Sequence, residues 1–307
     1  MPPVPQAHRP RALDDRAASP LLRPLSACKG GRPVTTTPHP RAVAGPNRPW
    51  PLYRQCSGIA LDLGSARTRA WISGRKGVLD APTVTFPGDG AVYPIQRGSI
   101  VDPPGTGRML DRLLGHRLPR FGRRLIVLTA PALGGIVFRT QAHIAVEVLR
   151  PSTVLTIPTA RAVAMATDAD LTRPLLVVDI GAHLTEVTLL TDGAVTDARH
   201  TALGTSDLDR LTPPTRITDT IVAMVTAMLE QDSTSETFDA LRAGALLAGG
   251  GALRPDITYR LSRQLHAPVR PVPAPHTAAV RGAARLMEAA RTHPSTTGTP
   301  EPAAHPH

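Results

Sequence analysis

The sequence predicts an α/β protein built from two copies of one βββαβαβα unit, and three observations carry that prediction. One pattern occurs twice: residues 59–72 read IALDLGSARTRAWI and residues 176–189 read LVVDIGAHLTEVTL, so that Asp62 matches Asp179, Gly64 matches Gly181 and Thr68 matches Thr185 at one constant offset. Each copy is an apolar strand running into Asp-x-Gly, a tight turn, and a second strand with alternating or β-branched residues. The same succession of strand and helix patterns follows each copy. The chain is 41% hydrophobic but only 3% aromatic, which fits aliphatic parallel strands buried under helices.

After the first copy, the pattern predicts a third strand at 83–86, a short helix at 106–114, a strand at 125–129, a helix at 137–149, a strand at 153–157 and a helix at 159–168. After the second it predicts a strand at 193–199, helix 217–230, strand 245–247, helix 253–265, strand 269–272 and helix 276–290. In the helix at 217–230, Ile217, Ile221, Met224, Val225 and Met228 fall on one face of a 3.6-residue period. The folded part is expected at 56–291, as two α/β subdomains, 56–172 and 173–291, facing one another.

The ends differ in composition. Residues 1–55 hold 12 prolines, eight arginines and Lys29 against only Asp14 and Asp15, and 292–307 are rich in Pro, Thr, Ala and His. Neither segment can organise a core, and both are expected to be disordered tails. The formal charge of +11 comes from 33 arginines and two lysines against 24 acidic residues, and much of it lies in the N-terminal tail. That tail could neutralise phosphates of nucleic acid or acidic lipid, but it has almost no aromatics to stack on bases, so a solvated extension is the expected reading. In the folded part the dense basic run is Arg117, Arg120, Arg123 and Arg124.

Several function classes fall away. Cys28 and Cys56 are the only cysteines, too few for a disulfide framework or a Cys-ligated zinc site, and a reducing cytoplasm is the expected compartment. No stretch of 18 apolar residues occurs to span a membrane, and the first residues lack the apolar run of a signal peptide. Neither lysine stands in a P-loop, and no His-Glu-x-x-His, Gly-x-Ser-x-Gly or Gly-x-Gly-x-x-Gly occurs.

Two Asp-x-Gly hairpins facing across a cleft suit a nucleotide. Small residues in the turn let backbone N–H groups approach phosphate oxygens, and a carboxylate at the strand end can hold Mg²⁺ through its waters. Asp-x-Gly is also ordinary hairpin chemistry. A third cluster, Gly249, Gly250 and Gly251 in GALLAGGGAL, follows an apolar strand and precedes a helix, where a ligand can lie against bare backbone.

These motifs in this order resemble the actin-like ATPase superfamily, and most closely the MreB type of rod-shape-determining filament protein, over about 58–290. ALDLGSARTRAWISGRKGVLDAPTV resembles the family's first phosphate loop and hairpin, and RGSIVD its next stretch. LLVVDIGAHLTEVTLL resembles the second phosphate loop, GALLAGGGALRPDI the adenosine loop, and PVPAPHTAAVRGAARLME the final helix, with Thr277, Ala278 and Gly282 in its Thr-Ala-x-x-x-Gly pattern. The resemblance implies duplicated ribonuclease H-like domains of the actin/DnaK-type fold. It implies ATP or ADP held by Asp62, Gly64, Ser65, Asp179, Gly181, Thr185, Gly204, Gly249, Gly250 and Gly251, with Mg²⁺ at Asp62 and Asp179. It implies a role in cell shape or wall assembly through contacts with other actin-like or cell-shape proteins or with itself, in the cytoplasm or at the inner membrane surface.

The chain departs from the family at three points. Between Phe86 and Arg97, and between Asp209 and the helix at 217, only short loops stand where the family carries outer subdomains. Ile157, before Pro158, takes the place of the family's water-orienting Glu; losing a general base costs on the order of 10²- to 10⁴-fold in rate, so no efficient ATPase is expected. Ala182, His183 and Leu184 replace the family's Gly-Gly-Thr. A left-handed backbone at His183 would cost about 1 kcal/mol, and its ring would either fill phosphate space or donate to a γ-phosphate. The alternatives are a sugar or acyl kinase of the same superfamily, with Asp102 as the nearby acid, and a basic module binding nucleic acid or a membrane surface.

Overall fold

The first repeat folds as an antiparallel hairpin of β1 (Ser57–Leu63) and β2 (Arg67–Ile72), in which Asp62 pairs with Arg69 and Leu63 with Thr68. The structure is a computed structural model that describes residues 57–119 and 122–292. The tails read at 1–55 and 292–307 lie, but for Thr292, outside those residues.

β3 (Leu79–Pro82) pairs antiparallel with β2. A small hairpin of β4 (Ile95–Gln96) and β5 (Ser99–Ile100) then leads into α1 (Pro103–Leu114). β6 (Arg124–Ala130), α2 (Gly135–Val146), β7 (Thr153–Pro158) and α3 (Thr159–Ala166) complete the unit. Its sheet runs β3-β2-β1-β6-β7, the last two strands parallel to β1.

The second repeat gives β8 (Leu175–Ile180), β9 (Thr185–Thr191) and β10 (Ala194–Thr201), then α4 (Pro214–Gln231), α5 (Glu236–Ala243) and β11 (Ala245–Ala248). It closes with α6 (Pro255–Leu265), β12 (Val269–Pro271) and α7 (Ala278–Thr292). The sheet order, β10-β9-β8-β11-β12, repeats the first with the same parallel and antiparallel neighbours.

Both central strands are buried on both faces, which is why they read as continuous apolar runs. Ile59, Leu61 and Leu63 pack with Leu110, Leu114 and Phe138 of α1 and α2, while Ala60 and Val127 meet Val280, Ala283 and Met287 of α7. Leu176, Val178 and Ile180 face Ile217, Ile221 and Leu261, and Val177 faces Ala160 of α3 and Ala279 of α7. Helices α3 and α7 thus contribute to the inner face of both sheets. Their alanine-rich sequences permit close approach: a Cβ on Gly282 would stand 1.7 Å from the Ala162 carbonyl oxygen.

The structure corrects two readings. The third strand lies at Leu79–Pro82 rather than 83–86, because Asp80 forms cross-strand ion pairs with Arg67 (2.6 Å) and Arg69 (3.4 Å). After Pro82 the chain turns away, with Thr83 N–H donating to the Ala66 carbonyl at 3.0 Å. Helix α5 was not expected; Asp232 supports its start, accepting from Thr234 Oγ1 and from the Thr237 amide, both at 2.6 Å.

Candidate functional site

The two Asp-x-Gly turns line one cavity of about 310 Å³. They are built alike: Gly64 N–H donates to Arg67 O (3.2 Å) and Gly181 N–H to Leu184 O (2.8 Å). A Cβ would stand 2.7 Å from the first carbonyl oxygen and 2.9 Å from the second, so each turn needs glycine. The amides of Ser65 and Ala66, and of Ala182 and His183, make no hydrogen bond among the described residues. Four backbone donors at the two turns are therefore unspent.

The carboxylates at the strand ends differ in surroundings. Asp62 accepts from Thr129 Oγ1 at 2.9 Å, and Arg69 Nη1 stands 3.7 Å from its other oxygen. Burial pushes its carboxyl above the ordinary carboxylate value, with Arg69 and Thr129 pulling the other way. Burial, reinforced by repulsion from Asp62 and Glu186 and opposed by Arg69, pushes Asp179 up to about 7. Glu186, opposite Asp179 on β9, accepts from the amides of Ala132 (2.9 Å) and Leu133 (3.5 Å), and burial raises its carboxyl too. That contact ties the second hairpin to the loop after β6.

Of the residues expected to hold nucleotide, Asp62, Gly64, Ser65, Asp179, Gly181, Gly249 and Gly250 line the cavity. Gly249 has φ +80°, and a Cβ there would fall 2.3 Å from Asp179 Oδ1 and from the Ile180 carbonyl oxygen. At Gly250 nothing lies within 4 Å of the Cβ position, so its backbone faces open space. Thr185, Gly204 and Gly251 stand behind the wall. Thr185 Oγ1 donates to Leu203 O at 2.8 Å, Gly204 packs on Ala182, and Gly251 packs on Ile180. Thr205 and Ser206 line the cavity beside them, with their amides bonded to Gly181 O and Ala182 O.

His183 does not have a positive φ, so the strain considered for it does not arise. Its Nδ1 lies 3.0 Å from Ser65 Oγ, and this bond joins the tips of the two turns. A second tie comes from the β4–β5 hairpin. Arg97 (φ +46°) and Gly98 (φ +80°) form its turn; the Arg97 guanidinium meets Asp207 at 2.8 Å and the Ala202 carbonyl, and Gly98 packs on Leu184. The short connection in place of a folded insert is thus a strap from the first repeat to the second.

Other residues settle differently. Ile157 is buried among Ala60, Val127, Ala162 and Val280 and does not line the cavity. Asp102 caps α1, accepting from Gly105 N–H at 2.8 Å, as expected of an Asp before a helix opening on two prolines. In the basic run, Arg117 donates to Leu113 O, and Arg124 to Leu149 O and Pro119 O; Arg120 lies outside the described residues.

Arg69, Glu186, Thr129, Arg97 and His276 were missed in the sequence. Arg69 and Glu186 stand at the same offset as the matched aspartates, so the repeat itself held the signal for them. The others come from loops and strand ends without a motif.

The arrangement suits a phosphorylated ligand with a planar part. Free amides stand on two sides, Gly250 leaves open wall, and two buried nitrogens from cavity-lining residues, Arg69 Nε and His276 Nδ1, have no hydrogen-bond partner. It does not suit a divalent cation. The guanidinium of Arg69 already faces Asp62, and no group of three His, Cys, Asp or Glu is placed to hold a metal among the described residues.

Two sheets of one order, with a glycine turn from each meeting at a cleft, define the actin-like ATPase fold, and the chain has that fold. No protein-family model matches the chain, and no curated protein does. Among solved structures it is similar to MreB5 of Spiroplasma citri bound to ADP (16% identity, TM-score 0.66, covering 76% of this chain and 97% of that one). It is also similar to the MamK double helical filament (16% identity, TM-score 0.62, covering 76% and 99%). A third is the ethanolamine utilization protein EutJ from Carboxydothermus hydrogenoformans (17% identity, TM-score 0.54, covering 74% and 89%). Among the described residues no helix is long and apolar enough to cross a membrane.

Proposed function

We propose that the chain is an MreB-like actin-family protein of two subdomains, 56–172 and 173–291, that binds an adenine nucleotide in the cleft and acts in cell shape or wall assembly through protein contacts. The observation that carries this reading is the pair of like turns with unspent amides on one cavity. Oriented N–H groups of this kind bind phosphate oxygens. The amides of Ser65 and Ala66 and of Ala182 and His183 hold the phosphates, and Gly250 and His276 border the base and ribose. ADP in one MreB5 structure and AMPPNP in another support the choice of ligand.

Binding is weak and hydrolysis inefficient. A phosphate between the turns displaces the Ser65–His183 bond, and the family's water-orienting position is apolar Ile157 inside the core. The protein works in the cytoplasm or at the inner membrane surface. Its contacts include a second copy of the chain, which the MamK filament supports. The surface for this contact is the exposed apolar set Leu133, Ile136, Val137, Ile144 and Val148 on and around α2, since contiguous exposed apolar side chains mark interaction sites. Capping of α1 by Asp102 and the carbonyl bonds of Arg117 and Arg124 weigh against the kinase and nucleic-acid readings.

The test is the melting temperature of the full chain with ADP, ATP and the non-adenine control GDP, beside sedimentation of the same samples. A rise with ADP, together with concentration-dependent association lost in Val137→Asp, is expected. No shift with any nucleotide and a monomer at all concentrations would refute the reading.

A further inference from the structure

Arg69 stands directly opposite Asp62 on β2, and its side chain, 15% exposed, lines the cavity. Its two ion pairs, 3.7 Å to Asp62 and 3.4 Å to Asp80, are longer than a good charge-assisted hydrogen bond. Its buried Nε has no hydrogen-bond partner. The guanidinium is therefore held between two carboxylates by long ion pairs, its Nε toward Asp80 and its Nη1 toward Asp62. A planar fork of donors matches phosphate oxygens, and a fixed positive charge beside carboxylates opposes a second cation. The matching position in the second repeat is Glu186, which is spent on the Ala132 and Leu133 amides. Of the two arginines that line the cavity, both from the first repeat, Arg67 is spent on Asp80, and Arg69 is the one that faces Asp62.

We propose that Arg69 is the resident cation of the cleft: it stands in for a divalent metal beside Asp62 and Asp179, and a phosphorylated ligand binds there without metal. The second half of this statement rests on the nucleotide reading; the exclusion of a divalent cation does not.

Two measurements on the full chain test it. In electron paramagnetic resonance with Mn²⁺, the wild type is expected to bind no ion with or without ADP, and Arg69→Leu to acquire one that Asp62→Asn then removes. In calorimetric titration, ADP affinity is expected to agree within about twofold between EDTA and Mg²⁺. In Arg69→Leu it should fall at least ~10-fold in EDTA and recover with Mg²⁺, tenfold being 1.4 kcal/mol. Stoichiometric Mn²⁺ in the wild type, or wild-type ADP affinity that rises tenfold with Mg²⁺, would overturn the proposal. If no nucleotide binds under either condition, the nucleotide reading fails, and the Mn²⁺ measurement alone decides the role of Arg69. If circular dichroism shows Arg69→Leu unfolded, Arg69→Gln, which keeps an N–H donor and removes the charge, takes its place.

Discussion

Ser65 Oγ and His183 Nδ1 lie 3.0 Å apart and join the tips of two turns that stand at like positions in the two repeats. A phosphate that enters between the turns breaks this bond. A partly buried hydrogen bond contributes about 1 kcal/mol net, roughly fivefold in affinity. His183→Gly should therefore bind ADP about fivefold more tightly than the wild type, by calorimetric titration. Weaker binding would show that the ring assists the ligand, and unchanged binding that the ligand does not break the Ser65–His183 bond.

The strap should loosen without Arg97. Its guanidinium is half exposed, so the pair with Asp207 is worth at most about 1 kcal/mol. Arg97→Ala is expected to lower stability by that much or less, while hydrogen exchange accelerates at 95–100 and 202–207. Protection unchanged in both segments would mean that the strap is held by Gly98 on Leu184 alone.

The α3–α7 contact is less forgiving. With the Ala162 carbonyl oxygen 1.7 Å from a Cβ at Gly282, even Gly282→Ala must push two helices apart. Overpacking of this kind costs about 1–3 kcal/mol, and urea unfolding should show a loss at the upper end. A loss under ~0.5 kcal/mol, the scale of an ordinary surface substitution, would contradict the packing.

Asp179 predicts a pH dependence. Its folded carboxyl is raised from 3.8 to about 7, so between those values the native state binds more protons than the unfolded chain, and stability falls as pH rises. Asp62 and Glu186 repel it and Arg69 attracts it, and burial is the largest cause. The contribution is fully present below about 4 and lost on passing through about 7. Asp179→Asn should remove this slope, so its stability relative to wild type rises across that window. A difference that is flat with pH would show that Asp179 is ionised throughout.

Much of this was legible in the sequence because the repeat was. The strands around Asp62 and Asp179 are apolar on both faces, and their turns require glycine, so both hairpins and the order of elements along the chain followed from pattern, while the fold type came through the family resemblance. The third strand was misplaced because β-branched Thr83, Val84 and Thr85 suggest a strand, whereas the pairing is decided by Asp80 against two arginines. Helix α5 is short and carries a weak apolar pattern. The strap, Glu186 on the Ala132 amide, and the lack of a partner for His276 Nδ1 depend on how distant loops meet, which no local pattern records.

In the proposed binding mode the cleft holds a nucleotide against Gly250. A Cβ there meets nothing within 4 Å, and Gly250 lines the cavity, so Gly250→Leu should fold normally while filling the cavity. Calorimetric titration of ADP into the wild type should give saturable one-to-one heat, and into Gly250→Leu none. No heat in the wild type, or equal binding by both proteins, would show that the cleft does not hold a nucleotide there.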